Sequence, residues 1–167
     1  MKYPAVGSCL GFLPENSARW LRSGVGLVTL GSALALGVSR PAVGQEYYED
    51  QVTDQLEAAA MVVGLDGYEM MYDPYVDRTG EGMSDTLTFT LYEGVSYTII
   101  GVCDEDCTDL DLELFDGNGN SIDSDYATDD IPIVEVTPAW DSKFSLQINM
   151  ATCSNEPCYY GVGVFGD

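Results

Sequence analysis

The chain has 167 residues, with 28 acids against six bases, no histidine and a formal net charge of −22 at pH 7. That length suits one domain with its own core. The charge excludes nucleic acid and anionic lipid as partners, and the missing imidazole excludes Ser–His and Cys–His catalysis.

Residues 1–44 differ from the rest. Lys2, Arg19 and Arg22 precede an apolar run, GVGLVTLGSALALGV (Gly24–Val38), and SRPAVG follows, with Ala42 and Gly44 as small residues before a cut. A basic start, a short apolar middle and a small-residue exit predict a signal peptide over 1–44. The run is too short, and too rich in Gly and Ser, for a membrane anchor. VGSC, ending at Cys9, has the shape of a lipoprotein box, but no apolar segment precedes it. The expected localisation is export, to the periplasm or the medium. Only Glu15 among the acids lies in the leader, with four of the six bases. Gln45–Asp167 therefore keeps 27 acids against Arg78 and Lys143, a net charge of −25. Such a surface suits cations, high salt or a basic partner, and its self-repulsion weakens folding at low ionic strength.

From Gln45 to about Gly67, Val52, Leu56, Ala59, Ala60 and Val63 recur at three- and four-residue steps, which predicts an amphipathic helix. Asp50 or Thr53 can cap its start, and Gly64 or Gly67 its end. A polar and aromatic strap, YEMMYDPYVDRTGEGMSD, follows. Helix and strap together occupy 45–84. Period-two segments then recur to the C-terminus. TLTFTLYEG sets Leu87, Phe89 and Leu91 on one face, and VSYTIIGVC is nearly apolar throughout, as a central strand would be. DLDLELF points Leu110, Leu112 and Leu114 inward and Asp109, Asp111 and Glu113 outward. IPIVEVTP, KFSLQINM (inward Phe144, Leu146, Ile148, Met150) and YYGVGVF complete the set, with a short strand at Ser121–Asp123. Six to eight short strands predict a mainly β protein, an antiparallel β-sandwich over 85–167 with one N-terminal helix.

Cys103, Cys107, Cys153 and Cys158 make an even count in an exported chain, which reads as two disulfides. Of three pairings, Cys103–Cys107 and Cys153–Cys158 each close a tight loop at a strand end. The rival reading is a four-thiolate zinc site.

Calcium is the candidate cofactor. In DGNGNSIDSDYA, Asp116, Asn118 and Asn120 match the first ligands of an EF-hand loop, but Ser121 replaces its Gly and Ala127 its bidentate Glu. A looser site would use Asp109 and Asp111, which point the same way along a strand, with Asp123, Asp125, Asp129 and Asp130 from the next turn. The alternative is a solvated acidic rim. Tyr97, Trp140, Tyr159 and Tyr160 are candidates for stacking on sugar rings, against the alternative of packing in core or rim.

From Asp85 onward the order of features resembles the bacterial pre-peptidase C-terminal (PPC) domain. Glu93-Gly94-Val95-Ser96-Tyr97 fits its Gly-x-x-Tyr landmark. Asp109, Asp111, Leu112, Leu114 and Asp116 fit its D-x-D-L-x-L-x-D hairpin. Ser142 and Phe144 stand where that family has Gly and Tyr. The resemblance implies a jelly-roll-like sandwich appended to secreted enzymes, with proposed roles in secretion, adhesion or substrate attachment.

No catalytic constellation appears, and the expected function is an exported, non-enzymatic binding or accessory module. Its partner would be an extracellular or envelope polymer or protein. An alternative puts a protein partner on the helix or the Tyr-rich strap. The remaining class is a hydrolase using two carboxylates.

Overall fold

The computed structural model describes residues 43–64 and 66–167. The expected leader, 1–44, lies outside the described residues except for Val43 and Gly44, which begin helix α1 (Val43–Gly64). The helix starts earlier than the capping signals suggested. Asp50 and Thr53 lie inside it, and the Thr53 hydroxyl donates to the Glu49 carbonyl one turn back, at 2.8 Å. Its expected apolar stripe is the face that packs: Val52 and Leu56 are fully buried, with Ala59, Ala60 and Val63 beside them. Gly67, at φ +97°, turns the chain out of the helix.

Nine strands follow among the described residues: β1 (Glu69–Met70), β2 (Tyr75–Thr79), β3 (Ser84–Leu91), β4 (Tyr97–Cys103), β5 (Cys107–Phe115), β6 (Ser121–Asp125), β7 (Ile133–Val136), β8 (Ser142–Cys153) and β9 (Cys158–Gly166). They form two antiparallel sheets. One runs β9-β4-β7, with β1 and β2 both paired on the outer side of β9; the other runs β3-β8-β5-β6. Counted from β2, the chain crosses from sheet to sheet at every step except the β5-β6 hairpin, which is jelly-roll order. The strap is therefore more than a connection. Two pieces of it extend the first sheet, because β9 offers an open edge and Tyr75, Val76 and Thr79 favour extended backbone.

The main core lies between the sheets. The leucines of β5 and the apolar side chains of β8 (Phe144, Leu146, Ile148, Met150) meet Tyr97, Ile99, Val134, Tyr160 and Val162. Helix α1 makes a third layer on the outer face of the first sheet, where Val52 and Leu56 meet Ile100, Val102, Tyr159 and Phe165. Strands β4 and β9 are thus buried on both faces, which is why they read as continuous apolar runs. A Cβ at Gly161 would lie 2.6 Å from Val52 Cγ1 and 2.8 Å from Leu56 Cδ1, so the glycine sets how closely the helix seats.

The disulfides are Cys103–Cys107 and Cys153–Cys158. The first joins the end of β4 to the start of β5, and the second the end of β8 to the start of β9. Each ties one sheet to the other, and Cys107 and Cys153 are register partners. Both bridges therefore close the same end of the sandwich. Structural disulfides fit an oxidising compartment. Among the described residues, no helix is long and apolar enough to cross a membrane.

Candidate functional site

The acids proposed for calcium divide among separate tasks. Asp123 Oδ2 accepts the Glu135 N–H at 2.8 Å, and Asp125 Oδ2 accepts the Ile133 N–H at 2.9 Å. These carboxylates of β6 stand in for a missing neighbour strand along the free edge of β7. Asp129 Oδ1 accepts the Ile131 N–H at 3.1 Å within its own turn, and Asp130 is exposed in that loop. Asp111, 9% exposed, accepts from Asn149 Nδ2 at 2.8 Å. Asp109 feels both Asp111 and Asp129; partial burial, then those two charges, push its carboxyl above the usual range. Its Oδ1 is buried, and among the described residues no donor reaches it. Nor, among those residues, do any three His, Cys, Asp or Glu side chains stand placed to hold a metal ion. The six acids are not grouped as a calcium ligand set: Asp123 and Asp125 give both oxygens, and Asp129 and Asp111 one each, to N–H groups.

The aromatic candidates also separate. Tyr97, Tyr159 and Tyr160 are at most 4% exposed. The Tyr97 hydroxyl accepts the Tyr92 N–H at 3.1 Å, and Tyr160 donates to Asp85 Oδ2 at 2.8 Å. Tyr159 lies under α1, stacked on Tyr48 with ring centroids 5.8 Å apart and covered by the Arg78 guanidinium at 5.6 Å. Tyrosine suits such strand positions because a buried ring can still satisfy its hydroxyl. These three therefore belong to the interior and cannot stack on an external sugar. Trp140 alone of the four is exposed, at 66%, over a hollow of about 220 Å³ that it shares with Asp116 and Asn118.

The most organised surface is one that the outward halves of the strand alternation build. Antiparallel register sets Ser84 of β3 beside Asn149 of β8 and Asn149 beside Asp111 of β5. The next row sets Thr86, Gln147, Glu113 and Ser124 side by side across β3, β8, β5 and β6. Tyr126, just past β6, folds back over the sheet and donates its hydroxyl to Glu113 Oε2. Ser84, Asp111, Glu113, Tyr126, Gln147 and Asn149 line a cleft of about 340 Å³. Its side chains hold one another: Ser84 Oγ donates to Asn149 Oδ1 at 3.1 Å, and the Asn149 amide donates to Asp111. The Ser121 and Tyr126 hydroxyls hold the Glu113 carboxyl below its ordinary range. That bond in turn pushes the Tyr126 hydroxyl up to about 12. At neutral pH the cleft thus presents carboxylate acceptors, amides of both polarities, and a Tyr126 ring that is 59% exposed.

Asp111 and Glu113 are the cleft residues whose outward position the alternation of DLDLELF makes explicit. Ser84, Tyr126, Gln147 and Asn149 carry no motif. The one sequence signal for Gln147 and Asn149 is the polar half of KFSLQINM, whose apolar half marks the core. No family model matches the sequence, and no curated protein is significantly similar to it.

Proposed function

We propose that this protein is an exported, non-enzymatic module that binds a neutral, hydroxyl-rich polymer, with the cleft on the β3-β8-β5 face as its site. The observation that carries this reading is the row Ser84–Asn149–Asp111, hydrogen-bonded side chain to side chain, with Glu113 and the exposed Tyr126 ring beside it. Sugar hydroxyls both donate and accept, and carboxylates and amides fixed on a rigid sheet meet that pattern without reordering. A pyranose has an apolar face that an exposed ring can cover. The net charge of −25 on Gln45–Asp167 selects neutral or cationic polymers over uronates and phosphates. The PPC-like motif order supports the same accessory role, and the two disulfides support export.

Glu113, held below its ordinary range, is not the raised carboxyl that a glycosidase uses as proton donor, and binding needs no such donor. The test is titration with soluble neutral polysaccharides. Asn149→Ala removes a donor and an acceptor, and Tyr126→Ala removes the platform; each is expected to weaken binding by about 1–2 kcal/mol, roughly five- to thirtyfold. A chain that binds no neutral glycan, or variants that bind as tightly as the parent, would refute the assignment.

A further inference from the structure

Helix α1 covers β9 and much of β4 but leaves an apolar groove along its other side. Ala58 and Val62 form one wall, Ile100 and Val102 the floor, and Ile131 and Ile133 the far wall. Its volume is about 380 Å³. The walls are open to water: Val62 is 65%, Ile131 49% and Ile133 45% exposed. Contiguous apolar surface of this kind, ringed by polar residues, marks an interaction site. It lies on the outer face of the first sheet, whereas the polymer cleft lies on the outer face of the second, so the two readings stand independently.

Three observations choose the occupant. The free edge of β7 is closed to strand addition, because the Ile133 and Glu135 N–H groups already bond to Asp125 and Asp123. What remains is apolar side-chain contact beside a helix. The rim is acidic: Asp54 lies one turn before Ala58, Asp130 directly precedes Ile131, and Glu135 shares the outer face with Ile133, all three exposed. Finally, a second copy would bring another −22 against this surface, which opposes self-association. We propose that this groove docks a basic amphipathic segment of a partner protein, whose apolar face fills the groove and whose lysines or arginines meet Asp54, Asp130 and Glu135.

The test uses the full chain with both disulfides formed. The probe is a helical peptide of about 20 residues with a leucine stripe and lysines elsewhere, compared with a twin carrying glutamates in place of the lysines. The lysine peptide is expected to bind, and its twin roughly tenfold more weakly or not at all. The deciding variant is Val62→Asp. It adds a negative charge, so unspecific attraction of a cationic peptide would strengthen, while docking in the groove would weaken about tenfold. Ile131→Asp should act alike; both positions are exposed, and circular dichroism checks that the fold persists. The proposal is overturned if the wild type ignores the lysine peptide, if Val62→Asp binds it as well or better, or if the glutamate twin binds equally. It is also overturned if Val62→Asp instead abolishes self-association, or abolishes binding to phosphatidylcholine vesicles; the occupant would then be a second copy or a lipid surface.

Discussion

Asp104, 1% exposed, joins the CDEDC turn to strand β9 through one carboxylate. Its Oδ1 accepts the N–H groups of Asp106 at 3.1 Å and Cys107 at 3.2 Å, and its Oδ2 accepts the Tyr159 N–H at 2.7 Å. Burial pushes its carboxyl up, and the three donors pull it partway back. An amide cannot replace it, because one of its two polar atoms is a donor and would face a backbone N–H. Asp104→Asn is expected to cost about 1–3 kcal/mol, seen as a drop of several degrees in Tm. Asp106→Asn, whose side chain meets the Asn155 amide at 3.3 Å and the Tyr48 hydroxyl but, among the described residues, no backbone N–H, should cost about 0.5 kcal/mol or less. Equal melting of the two variants would refute the role given to Asp104. In the sequence this residue is one of three acids inside CDEDC, and nothing there separates the buried one from its neighbours. The tyrosines are equally mute: Tyr159 and Tyr126 are the same letter, and only the strand face decides which meets solvent.

Among the elements, the seat of α1 on β9 depends on the absence of a side chain. Gly161→Ala would press a methyl group into Val52 and Leu56, both fully buried. The expected cost is about 1–3 kcal/mol, and it should fall first on the helix. Hydrogen exchange would then show faster loss of protection in α1 than in β5 and β8. Uniform loss across both sheets would show that the helix is no separate layer. The elements themselves were largely legible, because period-two alternation in β3, β5 and β8 and unbroken apolar runs in β4 and β9 are direct signatures of burial on one face or two. The β1 and β2 strands were not, since their pairing exists only once β9 provides an edge. The cleft on the β3-β8-β5 face was hidden for a related reason. Asn149, Asp111 and Ser84 become neighbours through cross-strand register, and that relation between distant segments has no local mark.

For the molecule as a whole, charge sets how stability responds to solution conditions. Asp104 and Asp109 have carboxyls raised above the ordinary value of 3.8. Each binds its proton more tightly folded than unfolded, so its contribution is complete below that value and is lost as pH rises through the folded one. Glu113 and Asp116 are held below 4.5 and 3.8, so their contributions are present above those values and vanish as pH falls through the folded ones. Acidification from pH 7 also discharges part of the net −22 that repels itself. Tm is therefore expected to rise as pH falls from 7 toward the ordinary carboxylate range, about pH 4–5, and to fall at lower pH, where Glu113 and Asp116 discharge. Added sodium chloride should raise Tm at pH 7 and much less at pH 5, because screening matters most when the acids are charged. Calcium chloride at matched ionic strength should do no more than the sodium salt, since Asp123, Asp125 and Asp129 already hold backbone N–H groups. Thermal melts over pH 3–8 in the two salts read all three outcomes. A maximum at or above pH 7 would show that neither the raised carboxyls nor self-repulsion governs the fold. A rise specific to calcium would show that the acids around Asp109 rearrange into a ligand set.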